Sequence, residues 1–422
     1  MKILWVSNTC IPQAAELVGT AADVGGGWVA GLAQTLLQTE HMLISCWPVG
    51  TKTPLVTASK DNFTCYNFPR HLVRRERYLP NTERRFAEIF QKEQPQIIHI
   101  FGTEYPHTLA AVNAAQRVGM LSRVCVSVQG LIGACAEVYN AGLPNTALHK
   151  YTLRDFVTRN NLFQQQREFA ARGELETRAL QKVKHVIGRT AWDKAYVRAC
   201  NPNAVYYACN ETLRDAFYSG VWQYKNCLPY SIFTSQCGYP LKGFHFLLQA
   251  MPQVLKVYPQ AHLYTTGPNL TALTPLQKLT GSYYAVYLAK QIKELGLSGH
   301  ITFLGGLSAL QMKEQYLKSN VFVSPSSIEN SPNSVGEAML LGMPVVASSV
   351  GGTNSVFTPN EDGLGYAFQD TQALAQAIIT LFADSARAAE MGQHARLHAQ
   401  QTHDAKKNLA DILSVYRDIC GA

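Results

Sequence analysis

Short apolar runs alternate along this chain with stretches whose apolar positions recur at helical spacing, the pattern of parallel α/β sheets. In the first half, residues 2–7, 42–47, 96–101, 123–128 and 185–188 read as strands, with helices predicted over 28–38, 82–94 and 108–118. The rhythm then restarts. Residues 230–235, 262–266, 301–304, 320–324 and 344–347 read as strands of a second half, separated by helices near 243–257, 283–295, 308–318, 335–341 and 371–383. A polar and aromatic stretch without periodicity lies between, so the expected division is a first domain over 1–210, a linker over 211–227 and a second domain over 228–403. The last helix, about 404–419, sets Leu409, Ile412, Leu413, Tyr416 and Ile419 on one face. That face can close the second domain, or the 404–422 segment can return to the first.

The length of 422 residues suits two domains, and 47% apolar residues exclude a disordered chain. A formal net charge of +8 is compatible with nucleotides, nucleic acid or an anionic membrane and does not choose among them. Arg70, Arg74, Arg75, Arg77, Arg84 and Arg85, interleaved with Leu72, Val73, Tyr78 and Phe86, fit either peripheral contact with anionic headgroups or a solvated basic face. No recognised nucleic-acid module accompanies them, so a nucleic-acid partner is not expected. The 10 cysteines are scattered singly with no CxxC pair, which points to a reduced cytoplasmic protein without disulfides. The N-terminal run lacks the features of a signal peptide, and no stretch approaches the ~20 apolar residues of a membrane span.

The chemistry concentrates in NVFVSPSSIENSPNSVGEAMLLGMPVVAS, which reads as strand, loop, helix, turn, strand. A helix starting at Val335 and capped by Ser334 would turn its first N–H groups and positive dipole end toward a phosphate. Glu329 and Glu337 flank that place, and a carboxylate can accept from a pair of vicinal hydroxyls. Ser334 and Glu337 also fit a capping box, a purely structural use of Glu337. Lys242 follows strand 230–235, where an ammonium can neutralise a diphosphate or simply be solvated. Gly25, Gly26 and Gly27 follow the first strand and allow close approach of a ligand, or form a plain flexible turn. Gln129, just past strand 123–128, can hydrogen-bond a ligand but cannot act as an acid or base. His99, Glu104 and His107 lie at or beyond a strand end, with His99 reading as a core residue and Glu104 as the better site candidate. Arg189 follows strand 185–188, where it can meet phosphate or make an interdomain salt bridge, and Asn210 and Glu211 near the join read as structural. The segment 143–172 reads as a loop with short helices over a binding site, and no Asp-x-Asp pair suited to a metal on a diphosphate is present.

The E-x7-E spacing of Glu329 and Glu337, with SPSSIENSPNSVGEAMLLGMPVVASSVGG around it, resembles the donor-site motif of glycosyltransferase family 4. The block VIGRTAWDKAYVRACNPNAVYYACNETLRDAFY is similar to bacterial members that build surface or capsular polysaccharide. The resemblance implies a GT-B fold, in which two Rossmann-like domains with parallel sheets face each other across a cleft. It implies that Glu329 touches the donor sugar, Lys242 the phosphates and Glu337 the ribose, with the backbone of Ser334 and Val335 on the diphosphate. Gly26, Gly27 and Arg189 would complete the donor side, and Glu104 and Gln129 the acceptor side. The implied activity is retaining transfer from a nucleoside-diphosphate sugar, a UDP-sugar foremost, to a glycan or lipid-linked acceptor, with no cofactor and no metal. The implied place is the cytoplasm, at most peripheral on the inner face of the plasma membrane. Two positions depart from the family pattern: Cys237 stands where an arginine is usual, and Gln129 where a histidine often is. A GT-B nucleotide-sugar epimerase and a non-catalytic nucleotide-sugar-binding protein therefore stay open as alternatives.

Overall fold

The computed structural model describes residues 1–20, 27–50, 56–70 and 77–421. These divide into two compact units, one of Met1–Ala136, Glu168–Arg214 and His403–Ala422, the other of Glu137–Arg167 and Asp215–Thr402.

The first unit is built on strands β1 (Lys2–Val6), β2 (Met42–Gly50), β3 (Val56–Lys60), β4 (Phe63–Arg70), β5 (Ile97–Phe101), β6 (Val124–Ser127), β7 (His185–Gly188) and β8 (Val205–Ala208). Among the described residues they form one sheet in the order β3-β4-β2-β1-β5-β6-β7-β8, parallel except for the β3–β4 pair. Side chains alternate across a strand, so β1 feeds two cores. Leu4 and Val6 pack with Phe86, Phe90, Leu109 and Val112 on one face. Ile3 and Trp5 pack with Leu43, Phe101, Ile412 and Tyr416 on the other. Burial on both faces explains why these strands read as unbroken apolar runs. The helix Ala405–Cys420 belongs to this second face: the Tyr416 hydroxyl accepts from Trp5 Nε1 at 3.0 Å and meets His99 Nδ1 at 2.6 Å.

The second unit carries β9 (Ser231–Thr234), β10 (His262–Thr265), β11 (Ile301–Phe303), β12 (Val321–Ser324), β13 (Val345–Ser348) and β14 (Gly363–Tyr366). They form a parallel sheet in the order β11-β10-β9-β12-β13-β14. The strand order reverses between β9 and β12, and in the first unit between β1 and β5. Crevices at such reversals, outside the carboxyl ends of the strands, are where open α/β sheets bind ligands.

The sequence reading needs three corrections. Strands β3, β4, β8 and β14 were not expected. Segment Glu137–Arg167 clusters with the second unit, not the first. There Thr152 Oγ1 donates to Gly281 O at 2.7 Å, Tyr283 N donates to Asp155 Oδ2 at 2.7 Å, and the His245 ring meets Ala141 O at 3.0 Å. Finally, the stretch expected as a linker is built into the two units. Glu211–Arg214 belongs to the first, while Trp222 donates from N to Leu341 O at 2.8 Å and from Nε1 to Ser319 O at 2.7 Å in the second.

Candidate functional site

The reversal in the second unit brings Lys242 and Glu329 together. Lys242 ends a short turn (Pro240–Lys242) after β9, and Glu329 sits in the loop after β12. Lys242 Nζ donates to Glu329 Oε1 at 2.6 Å, and Ser326 Oγ donates to the same oxygen at 2.7 Å. Both charged side chains are partly open, Lys242 24% and Glu329 14% exposed. Two glycines make the geometry feasible. Gly243 has φ +64°, and a Cβ there would stand 1.7 Å from Pro325 O. Gly351 has φ +52°, and a Cβ there would stand 2.2 Å from Glu329 O, which accepts from Gly352 N at 2.9 Å. Only glycine adopts these left-handed positions at such close quarters.

The helix Asn333–Leu341 points its first turn at this region, and its start corrects the capping expectation. Pro332 is the N-cap, with no side-chain cap bond, so Ser334 lies inside the first turn and Glu337 beyond it. The Val335 N–H already donates to Pro332 O at 3.0 Å. The first-turn donors that helix geometry leaves are therefore those of Asn333 and Ser334, one position earlier than expected. Glu337 is buried at 4% exposure and serves no capping box. Ser327 Oγ, on the loop of Glu329, and Thr353 Oγ1, at the start of the short helix Thr353–Val356, are buried hydroxyls with no partner among the described residues.

Sequence reasoning missed Ser326, whose signal was a serine three residues before Glu329, and Tyr239, whose ring lies 6.0 Å from Lys242 Nζ. Cys237, at the departure from the family arginine, donates its thiol to Thr266 O at 3.1 Å. Burial pushes that thiol up to about 11, so it is neutral and supplies no charge.

In the first unit the reading's candidates meet one another. Arg189 is 4% exposed and ion-paired with Glu211; its Nη2 donates to Val128 O at 2.9 Å and Gln129 Oε1 at 3.0 Å. Gln129 Nε2 donates in turn to Glu211. The salt bridge expected between domains is thus internal to this unit. Burial pushes the Glu211 carboxyl above its ordinary range, against the opposing pull of Arg189 and the Gln129 hydrogen bond. Ser127, Gly188, Arg189, Asn210, Glu211 and Thr212 line a cavity of about 30 Å³, room for roughly one water. Glu104, past β5 at the sheet reversal, accepts from Gly130 N at 2.9 Å, and burial raises its pKa against that bond and nearby Arg189 and Arg172.

Other candidates fall elsewhere. His99 lies in the core of β5, its ring bonded to Tyr416 and to Ser127 Oγ at 2.6 Å, and burial drops its pKa to about 3. The His107 ring meets Phe101 O at 3.2 Å. Gly25 and Gly26 lie outside the described residues, and Gly27 opens the helix Gly27–Leu36. In the basic cluster Arg74 and Arg75 are likewise outside them, Arg77, Arg84 and Arg85 are exposed, and Phe86 is fully buried. Of its apolar members Leu72 and Val73 are also outside the described residues, Tyr78 is half-buried and Phe86 packs in the core.

Residues 229–398 match the family model of glycosyl transferases group 1. That stretch contains Lys242, Glu329, Ser334 and Glu337. These residues form a glycosyl transferases group 1 domain. Among characterised relatives, Spore coat protein SA of Bacillus subtilis is 26% identical over 42% of this chain and 45% of its own length. A GDP-mannose-dependent alpha-(1-6)-phosphatidylinositol monomannoside mannosyltransferase of Mycolicibacterium smegmatis is 27% identical over 42% of this chain and 46% of its own. A D-inositol 3-phosphate glycosyltransferase of Corynebacterium urealyticum is 28% identical over 42% and 41%. The match thus spans less than half the length of these curated relatives. Across the whole chain the fold is similar to sucrose-phosphate synthase of Thermosynechococcus elongatus, with TM-score 0.75, 19% identity and 99% of each chain covered. It is also similar to Anabaena HepE in complex with UDP, with TM-score 0.64, 17% identity and coverage of 99% and 100%. The group 1 domain accordingly sits within a GT-B fold of two Rossmann-like units.

Proposed function

We propose that this chain is a retaining glycosyltransferase that moves a sugar from a nucleoside-diphosphate donor, a UDP-sugar foremost, to a glycan or lipid-linked acceptor in polysaccharide or glycoconjugate synthesis. The observation that carries the reading is the Lys242–Glu329 pair at the reversal between β9 and β12. Charge develops on the departing diphosphate, and an ammonium already positioned there stabilises it without reorganisation. The Asn333 and Ser334 N–H groups add dipole stabilisation at the same end of the sheet. Glu329 accepts from sugar hydroxyls and Glu337 from the ribose. In a front-face path the leaving phosphate takes the acceptor proton, so Gln129 in place of a histidine is no obstacle, and neither a cofactor nor a metal is invoked. Gly26, Gly27 and Arg189 on the donor side, and Glu104 and Gln129 on the acceptor side, complete the assignment. Arg189 contributes only if a ligand draws it from Glu211. The setting is the cytoplasm, with peripheral contact to an anionic membrane.

A mannosyltransferase relative is named for GDP-mannose and HepE is bound to UDP, so the base has to be measured. A thermal-shift screen against UDP, GDP, ADP and their sugars finds the donor, because a ligand of the native state raises its melting temperature. Transfer is then assayed with that donor. Full activity in Glu329→Gln would show that the sugar contact is misassigned. Turnover with no acceptor would favour the epimerase reading. The uncharged Cys237 and the tethered Gln129 motivate the non-catalytic reading, which predicts calorimetric binding with no turnover for any pair.

A further inference from the structure

The second unit has one face where large apolar side chains point outward instead of into a core. The short helix Leu153–Thr158 and the short helix Pro275–Thr280 pack against each other. The hydrogen bonds of Thr152 to Gly281 and of Tyr283 to Asp155 lock them together. Phe156 and Val157 on the first are 70% and 72% exposed, and Leu276 and Leu279 on the second 68% and 52%. Tyr151 and Leu153 extend the patch, with the Tyr151 and Phe156 rings 6.4 Å apart. Contiguous apolar surface of this kind is costly to keep in water and marks an interaction face.

Charge selects the partner. Lys150, Arg154, Arg159 and Lys278 are exposed around these side chains. Across 144–167 and 268–283 the acidic residue present is Asp155, which is buried at 1% exposure, accepts from Tyr283 N and lies 3.7 Å from Arg154 Nη1. Apolar tips ringed by cations, with no exposed carboxylate, fit lipid tails beneath anionic headgroups. Beside Arg84 and Arg85 the described Phe86 is fully buried.

We propose that Tyr151–Val157 and Leu276–Leu279 form a docking face for an anionic lipid surface. This gives a location to the membrane contact of the proposed function but does not rest on its chemistry, since vesicle binding needs no donor or acceptor. The test is co-sedimentation of the full chain with phosphatidylcholine vesicles, with and without phosphatidylglycerol. Binding is expected only where phosphatidylglycerol is present, and it should weaken as salt rises. The pair Phe156→Ser with Val157→Ser should lower the affinity about tenfold or more, as should Lys150→Glu with Lys278→Glu. Arg84→Glu with Arg85→Glu should leave binding unchanged. All these positions are exposed, and unchanged thermal unfolding of each variant rules out loss of fold as the cause. Equal binding to both vesicles, binding that survives Phe156→Ser with Val157→Ser, or loss only on reversing Arg84 and Arg85 would each overturn the proposal. So would a concentration-dependent dimer in sedimentation velocity that the same serine pair abolishes, because the face would then belong to a second copy.

Discussion

Both units hold a cation–carboxylate pair at the carboxyl ends of their strands, Lys242 with Glu329 and Arg189 with Glu211. The arginine pair is the more deeply enclosed: Arg189 also donates to backbone carbonyls and to Gln129, while Gln129 donates to Glu211. The lysine pair is half-open, joined by one short bond at the sheet reversal, with Ser326 supporting the carboxylate. The same two charge types thus serve different ends. A pair enclosed by its own protein holds structure, while a pair with access to solvent can exchange its partner for a ligand.

The sharpest way to break this comparison is Arg189→Ala. It strands Glu211 as a buried, unpaired carboxylate and should cost about 3–5 kcal/mol in urea unfolding. Lys242→Ala should do the reverse. Its stability loss should stay near 1 kcal/mol, while transfer falls about 10²–10³-fold. If both variants lose stability alike, the distinction fails.

A third variant examines a carboxyl with no cation beside it. Glu176 is 1% exposed and accepts from Thr103 Oγ1 and from Gly133 N at 3.1 Å. Burial pushes its pKa from 4.5 to about 7. The folded state therefore keeps a proton that the unfolded chain releases, and stability falls as pH rises from 4.5 to about 7. Glu176→Gln should flatten that fall, which amounts to about 3 kcal/mol, in unfolding curves taken across this range. The smallest effect concerns Cys237. At pH 8 a thiol reagent should label exposed Cys420 and spare Cys237 in the native protein, and Cys237→Ala should leave transfer within about twofold.

The strands that were legible in the sequence are those pressed between two cores, such as β1 from Ile3 on and β5, where every residue is buried. Those that were missed carry no such run. Strands β3 and β4 pair at the sheet edge with Ser59 facing Thr64, β8 is partly exposed, and β14 is the glycine-rich GLGY. Glu329 stood out through its E-x7-E spacing to Glu337, and Lys242 through its place after a strand and before a helix. The helix start was placed two positions late, at Val335 instead of Asn333, because Pro332 and not the serine is the N-cap. The attachment of 137–167 was not legible at all. Thr152 and Gly281 are 129 positions apart, and no local pattern names so distant a partner.

That attachment, with the returning last helix, has a consequence for how the protein is made. The chain passes between the units at 136/137, 167/168, 214/215 and 402/403. On a ribosome the N-terminal strands emerge first, yet Trp5 Nε1 and His99 Nδ1 must wait for the hydroxyl of Tyr416. The second unit can close earlier, once residue 402 is out. The half begun first is therefore finished last, and its unfinished core is the part of the nascent chain most in need of a chaperone.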